Sequence, residues 1–303
     1  MNFTVTPLGS GAAAPALGRH CSGQLVNIGG CRLLIDCGEG TQEQLRRYHQ
    51  RMQAIEAIFI SHLHGDHVFG LPGLLSSMHL FGRKEPLDVF SPPGLADAVR
   101  LFFAASATTL QYELRMHEVD TEAEQTVFEN AKCRVRTFPL YHSVPTVGYV
   151  VSESDPQPGL RVGVREQFGL AADQIESIKR GADYTDSQGT VHPNAELLAP
   201  PRKAKSYAYC CDTAYNEAIA RAAAGADLIC VESTFANGME QLAAELRHCT
   251  AAQAATIAAE ADAKQLMLTH FSARYKSLDE LLQQAQTLFP NTLLAEEGKT
   301  VAV

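Results

Sequence analysis

No stretch of this chain approaches the ~18 consecutive apolar residues that a helical membrane span needs, so none is expected. The first residues, Met1-Asn2-Phe3-Thr4-Val5-Thr6, carry neither a basic leader nor an apolar segment behind one, so no secretory signal is expected either. The eight cysteines, at 21, 31, 37, 133, 210, 211, 230 and 249, form no CxxC pair and no disulfide-like spacing. Most sit in apolar runs, as buried thiols of a cytoplasmic protein do. Positive charge is also short: 25 Lys and Arg against 34 Asp and Glu leave a formal net charge of −9. That argues mildly against a nucleic-acid partner, because neutralising phosphates usually calls for a basic surface, although charge can be concentrated locally. What remains is 303 residues, 46% hydrophobic and 19% charged, which suits a globular chain with a sizeable core.

Polar chemistry is concentrated in one place. An apolar, β-forming run from Ile55 to Ile60, with Glu56 as its one charge, ends in Ser61-His62-Leu63-His64-Gly65-Asp66-His67. Imidazole nitrogen and carboxylate oxygen are the usual ligands of zinc and similar divalent metals. Strand alternation points His62 and His64 the same way, while a turn at Gly65 lets Asp66 and His67 face a second position. One metal or two fit this segment. Three of only eleven histidines fall within six positions, which makes a merely solvated loop the weaker reading.

Strand and helix patterns alternate on either side of that cluster. Strands are expected at 3–8, at 24–28 and 31–35 (a hairpin through Gly29-Gly30), and at 55–60, 87–90, 133–141 and 147–151. Helices are expected from Thr41 to about Met52, capped by Thr41 with Gln44 in the capping-box place, at 72–80, and from Pro93 or Gly94 to Phe103. The Gly9-Ser10-Gly11 loop is only a weak signal of phosphate binding, since small-residue turns are common. From 152 to 205 Pro, Gly, Asp and Gln accumulate and only 165–168 and 173–180 look helical, which reads as an inserted arm within a single 1–303 domain. Regular structure resumes with strands at 206–211, 227–231 and 264–269 and helices at 217–224, 251–261 and 278–289. Two batches of strands and helices suggest an α/β protein layered as an αββα sandwich.

Several of these strands end in a ligand-type residue: the histidine cluster, then His142, Asp212 and His270. Singly, each of the last three would be an ordinary loop residue; their repeated placement is what gives them weight. Gathered at one edge, five histidines and two aspartates suffice for two metals, each with three or more protein ligands and a position left for water. Asp212, with two carboxylate oxygens, is the natural bridge. Water held by two divalent ions becomes acidic enough to serve as a nucleophile, with Asp66 placed to act as its base, so hydrolysis is the expected chemistry.

His62-Leu63-His64-Gly65-Asp66-His67 is the HxHxDH signature of the metallo-β-lactamase superfamily, and the chain resembles, more narrowly, the ribonuclease Z family of tRNA 3′-processing endonucleases. The matching motifs run nearly end to end: Leu8-Gly9-Ser10-Gly11, Asp36-Cys37-Gly38-Glu39-Gly40-Thr41-Gln42, Gly70-Leu71-Pro72-Gly73-Leu74, Pro200-Pro201-Arg202-Lys203, Asp212-Thr213, Glu232-Ser233-Thr234-Phe235, His248-Cys249-Thr250 and His270-Phe271-Ser272-Ala273-Arg274-Tyr275. The resemblance implies a four-layer metallo-β-lactamase-like sandwich with two Zn2+ per subunit, Mn2+ or another divalent metal being the alternative. It implies that His62, His64 and His142 hold one ion, Asp66, His67 and His270 the other, and that Asp212 bridges. His248 would protonate the leaving 3′ oxygen with Glu232 holding its ring, and Ser272, Arg274, Tyr275 and Lys203 would contact substrate. Precursor tRNA is the implied partner, a homodimer the implied assembly and the cytoplasm the implied location. The pattern departs at Val231 and Ala204, where the family usually has histidine and glycine, and in the arm, where Ala171-Ala172-Asp173 lies near the place of a Gly-Pro pair. A general or small-molecule phosphodiesterase on the same site is the alternative, suited to the acidic charge and the altered arm.

Overall fold

The computed structural model describes residues 2–16, 18–154, 156 and 158–303; Met1 of the N-terminal reading and Asp155 and Gln157 of the inserted segment lie outside them. The chain divides into two compact units, one made of Met1–Ser152 with Lys205–Val303, the other of Glu153–Ala204.

The larger unit is built on two seven-stranded sheets. The first runs, edge to edge, Val301–Ala302, Phe3–Gly9, Gly23–Ile28, Cys31–Ile35, Ile55–Phe59, Leu87–Ser91, Leu114–Glu118. Its early neighbours pair antiparallel, while the strands from Cys31–Ile35 onward pair parallel. The second runs Thr292–Leu294, Leu266–Thr269, Leu228–Glu232, Ser206–Cys210, Thr146–Glu153, Cys133–Leu140, Gln125–Glu129, with its first four strands parallel. Alternating apolar residues of both sheets, among them Val26, Leu33, Phe59, Val147, Tyr149, Tyr207 and Cys230, meet in one core between them. The opposite faces are covered by helices. Thr41–Arg47, Leu71–Leu80 and Leu95–Ala105 bury Leu45, Leu74, Leu75 and Val99 against the first sheet, and Glu217–Ala222, Ala251–Glu260 and Asp279–Leu288 bury Ile219, Ile257 and Leu281 against the second. The result is the expected helix–sheet–sheet–helix layering.

Three expectations change in detail. Gly40, at φ +86°, occupies the N-cap, so Thr41 is the first helical residue, and the Gln44 side chain donates instead to the Leu8 carbonyl and to Glu297. That helix ends at Arg47, and a single 3-10 turn, Met52–Ala54, leads into the next strand. The four outermost strands, Val301–Ala302, Leu114–Glu118, Thr292–Leu294 and Gln125–Glu129, carry no expectation from sequence.

The smaller unit has its own apolar cluster of Val164, Leu170, Ile178 and Leu197, contributed by helices Val164–Phe168, Ala172–Lys179 and Asn194–Leu197 and the residues between them. A hairpin of Tyr184–Thr185 with Val191–His192 completes it. At its root the Arg202 guanidinium grips both oxygens of buried Glu153, at 2.6 and 2.7 Å. Such a bidentate fork holds two chain segments in one fixed geometry.

Close backbone approach explains two glycines of the larger unit. A Cβ on Gly38 would lie 2.1 Å from the Asp66 carbonyl oxygen, and one on Gly70 would lie 2.1 Å from the Gly38 carbonyl oxygen. The segments carrying residues 38, 66 and 70 are therefore stacked without room for a methyl group. Gly38→Ala is expected to destabilise the fold by roughly 1–3 kcal/mol through this overpacking, read as a lowered Tm, and to weaken metal binding at Asp66 in the same variant.

Candidate metal centre

Parallel strands direct their C-terminal ends to one edge, where chain segments leave the sheet and polar side chains can gather. Strand Ile55–Phe59 leads to His62 and His64, and the following turn Gly65–Val68 carries Asp66 and His67. Ser206–Cys210 leads to Asp212, Leu228–Glu232 ends on Glu232, and Leu266–Thr269 leads to His270. His142 follows the antiparallel strand Cys133–Leu140.

These side chains form two sets of four donors that share Asp212. In the first, His62 Nε2 lies 3.1 Å from His64 Nδ1, His142 Nε2 lies 3.2 Å from the same atom, and Asp212 Oδ2 lies 3.8 and 3.9 Å from the two Nε2 atoms. In the second, His67 Nε2 and His270 Nε2 lie 3.4 Å apart, with Asp66 Oδ2 at 3.5 and 3.3 Å and Asp212 Oδ1 at 3.5 and 3.1 Å from them. Zinc bonds of ~2.0–2.2 Å require tetrahedral edges of roughly 3.3–3.6 Å; four of the five distances in the second set fall in that range, while those of the first bracket it at 3.1–3.2 and 3.8–3.9 Å. His62 and His142 thus lie nearest Oδ2 of Asp212, and His67 and His270 nearest its Oδ1.

The electrostatics call for cations. Burial would lower the His67 imidazole, but Asp212 and Asp36 outweigh it and raise its pKa to about 10. Burial, reinforced by the charge of His67, holds neighbouring His62 well below the ordinary value. Burial would likewise raise the Asp66 carboxyl, yet the hydrogen bond and charge of His270 and the charge of His67 hold it well below the carboxylate range. Buried carboxylates thus stay ionised among imidazoles of opposed demand, an arrangement that divalent ions satisfy. Cys211 Sγ also falls within reach of the second set. Burial and then Asp212 push this thiol well up, and it donates to Asp212 Oδ1 at 2.8 Å, so Asp66 is the better fourth donor.

The other ring nitrogens are fixed by partners that sequence reasoning did not assign. Asp36, at φ +57° just past strand Cys31–Ile35, accepts from Ser61 N, Ser61 Oγ, His67 Nδ1 and Tyr209 OH at 2.7–2.9 Å. His142 Nδ1 donates to the Arg247 carbonyl at 3.0 Å, and His270 Nδ1 to Thr234 Oγ1 at 3.0 Å. Each leaves Nε2 facing the cluster, which is how a neighbouring acceptor selects the ligating tautomer. Asp36 is the one of these that the strand-end signal could have found.

Glu232 is fully buried and fully bonded. Its Oε1 accepts from Thr213 N at 2.7 Å and His248 Nδ1 at 2.8 Å, and its Oε2 from Thr234 Oγ1 at 2.6 Å and Cys249 N at 3.1 Å. Burial would lower the His248 pKa, but Glu232 outweighs it and raises it to about 9. A cavity of about 830 Å3 opens over the cluster, lined by Asp66, His142, Asp212, His248, His270 and Ser272 among others. Arg274 Cζ lies 4.9 Å from the ring centre of Phe235, which lines that cavity, and Tyr275 OH accepts from Ala236 N. Arg19 donates to the carbonyls of Ser272 and Tyr275, holding their loop. Lys203 belongs to the smaller unit, where it is exposed.

Comparison with known proteins gives a consistent picture. Residues 3–178 match the family model described as Anti-Pycsar protein Apyc1. The chain is 38% identical to the ribonuclease Z of Bacteroides thetaiotaomicron over 301 residues, covering 99% of this chain and 95% of that protein. It is 39% identical to the ribonuclease Z of Anoxybacillus flavithermus, covering 98% and 96%. Its fold is similar to the crystal structure of human tRNase Z, short form, at a TM-score of 0.72 with 27% identity and 98% of each chain covered. A metallo-β-lactamase fold protein of Bacillus subtilis matches at a TM-score of 0.70 over 99% of each chain, at 18% identity.

Asp212→Ala is expected to lose metal and activity together, measured by metal analysis alongside turnover. Asp36→Asn keeps every donor of the two sets but removes the charge behind His67, and is expected to weaken metal affinity ~10–100-fold in a metal titration.

Proposed function

The chain belongs to the ribonuclease Z family, and from that premise we propose that it removes the 3′ trailer of precursor tRNA, cutting one phosphodiester after the discriminator base and leaving a 3′-hydroxyl. The observation that carries this reading is the Glu232–His248 pair, a proton donor set beside the two donor sets and open to the same cavity. Hydrolysis of a carboxamide or thioester alone would leave that pair, and the Arg274 side chain over Phe235, without a task.

His62, His64 and His142 would hold one Zn2+, and Asp66, His67 and His270 the other, with Asp212 between them. Two such ions supply a nucleophile at neutral pH and draw charge from the phosphoryl oxygens. Asp66, whose Oδ2 accepts from Ala13 N at 2.8 Å and belongs to the donor set, would take up the nucleophile's proton at its other carboxylate oxygen. On the far side of the phosphorus, His248 delivers a proton to the departing 3′ oxygen, while Glu232 orients the ring through Nδ1 and stabilises its cationic form. Thr234 connects Glu232 to His270, so one carboxylate positions both the proton donor and a ligand. Ser272, Arg274 and Tyr275 steady the substrate phosphates beside His270, and Lys203 with the 152–205 arm contacts the tRNA body. The eight cysteines are all buried free thiols, in keeping with a reducing compartment such as the cytoplasm. Among the described residues no helix is long and apolar enough to cross a membrane. The enzyme works as a homodimer, for which exposed Leu80, Phe81, Leu101 and Phe102 offer apolar surface.

Precursor tRNA with a 3′ trailer and bis(p-nitrophenyl) phosphate, assayed side by side on metal-loaded protein, test the assignment; turnover of the small diester without tRNA cleavage would overturn it. His248→Ala is expected to keep its metal and to lose ~10²–10⁴-fold on RNA but far less on the nitrophenyl ester, whose leaving group needs no proton. Because the active His248 is the protonated one, kcat/KM on RNA falls as pH rises through the imidazole pKa. Removing the negative partner in Glu232→Gln lowers that pKa, so the alkaline limb of the profile is expected to move to lower pH.

A further inference from the structure

Two arginine–aromatic pairs flank the cavity, and only one has a role so far. Arg274 on Phe235 stands on the His270 side. On the His142 side, Arg247 Cζ lies 4.8 Å from the ring centre of Tyr141, a residue 54% exposed although it is adjacent to a metal-ligand position. Arg247 itself lines the cavity. Its Nη1 donates to the His142 carbonyl at 2.5 Å while its own carbonyl accepts from His142 Nδ1 at 3.0 Å, so the two residues grip each other in both directions. This grip requires residue 247 to cap helix Glu240–Leu246 at φ +57°, a left-handed conformation that favours glycine. An arginine held there, with its guanidinium laid on an exposed ring, is more than the helix end needs.

We propose that Tyr141 and Arg247 form a nucleobase subsite beside the cavity that Arg247 lines, receiving the base of a nucleotide next to the scissile phosphate. An exposed aromatic face backed by a guanidinium plane is the arrangement on which single-stranded RNA bases stack, and it tolerates any base because every base has a π-face. Among the described residues the guanidinium donates only to the His142 carbonyl, which leaves N–H groups for a neighbouring phosphate. The subsite rests on the ribonuclease reading and deepens it: the exposed Tyr141 face would hold one nucleotide beside the bond that is cut, a role buried Phe235 cannot share.

The chain contains no tryptophan, so Tyr141→Trp introduces a single tryptophan at the subsite, whose emission can be excited apart from the tyrosines. Titration of this variant, metal-loaded, with a short single-stranded oligoribonucleotide is expected to quench its emission saturably, as base stacking does. Adding Arg247→Gly is expected to weaken the Kd from that titration ~10-fold. Because glycine suits φ +57°, the Arg247→Gly protein should retain or exceed the wild-type Tm, which separates lost contact from lost fold. Tyr141→Ala and Arg247→Gly should each lose at least ~10-fold more kcat/KM on precursor tRNA than on bis(p-nitrophenyl) phosphate. Unchanged emission with the oligonucleotide overturns the subsite, as do equal losses on both substrates accompanied by loss of metal, which would confine the pair to holding His142. A wild-type protein that leaves precursor tRNA intact, while the emission still responds to the oligonucleotide, would remove the tRNA assignment and leave the subsite standing.

Discussion

The organisation of the hydrolytic edge depends on one buried carboxylate, Asp36. It sits at the end of a strand of the first sheet and receives the Tyr209 hydroxyl from a strand of the second, so a single acceptor fastens the two sheets where the metal ligands emerge. Its bonds to Ser61 N and Oγ fix the segment that leads into His62, and its bond to His67 Nδ1 fixes the tautomer of a ligand. Tyr149 repeats the device by donating to the Ile60 carbonyl at 2.7 Å. Nonpolar packing between the sheets provides most of the stabilisation, but it is directionless. These few polar links across the core are what set the register of one layer against the other to within the tolerance that coordination demands.

The same economy governs charge. A site with this many buried carboxylates and imidazoles is unsatisfied by its own residues: His67 and His62 are driven to opposite protonation, and Asp212 faces both groups. A divalent cation bound in this cluster would take the place of protons on those imidazoles. Glu232 lies just outside that conflict. It is matched by four donors, among them His248 Nδ1, which ties its charge to an imidazole that lines the cavity. Asp66 and Glu232 thus sit in different surroundings, the first among the imidazoles of the cluster and the second among backbone and hydroxyl donors as well.

Much of this is legible in the sequence because the ligands terminate strands whose interiors are unmistakably apolar. The run from Ile55 to Ile60, and the strands before Asp212 and His270, announce both the element and the residue at its end. Of the strands that patterning does not mark, four are the edges of the two large sheets and two form the short hairpin of the smaller unit. Leu114–Glu118 and Gln125–Glu129 have no fully buried residue, so the alternation that marks a half-buried strand is absent from them. Arg247 and Thr234 are hidden for another reason. Their roles are set by hydrogen bonds to residues 105 and 36 positions away, and nothing local to them reports such a partner. The Thr41 cap fails locally: a glycine with positive φ immediately before it can start the helix without a side-chain cap.

The Arg202–Glu153 fork has a consequence for inheritance. It joins residues 49 positions apart and so closes the excursion at its base, with Glu153 as the last residue of a sheet strand. Codons between the two partners can be lost, gained or exchanged while the clasp that joins the flanking segments stays the same. A change of length confined to residues 154–201 therefore leaves both partners of the fork, and the strand that Glu153 ends, in the chain.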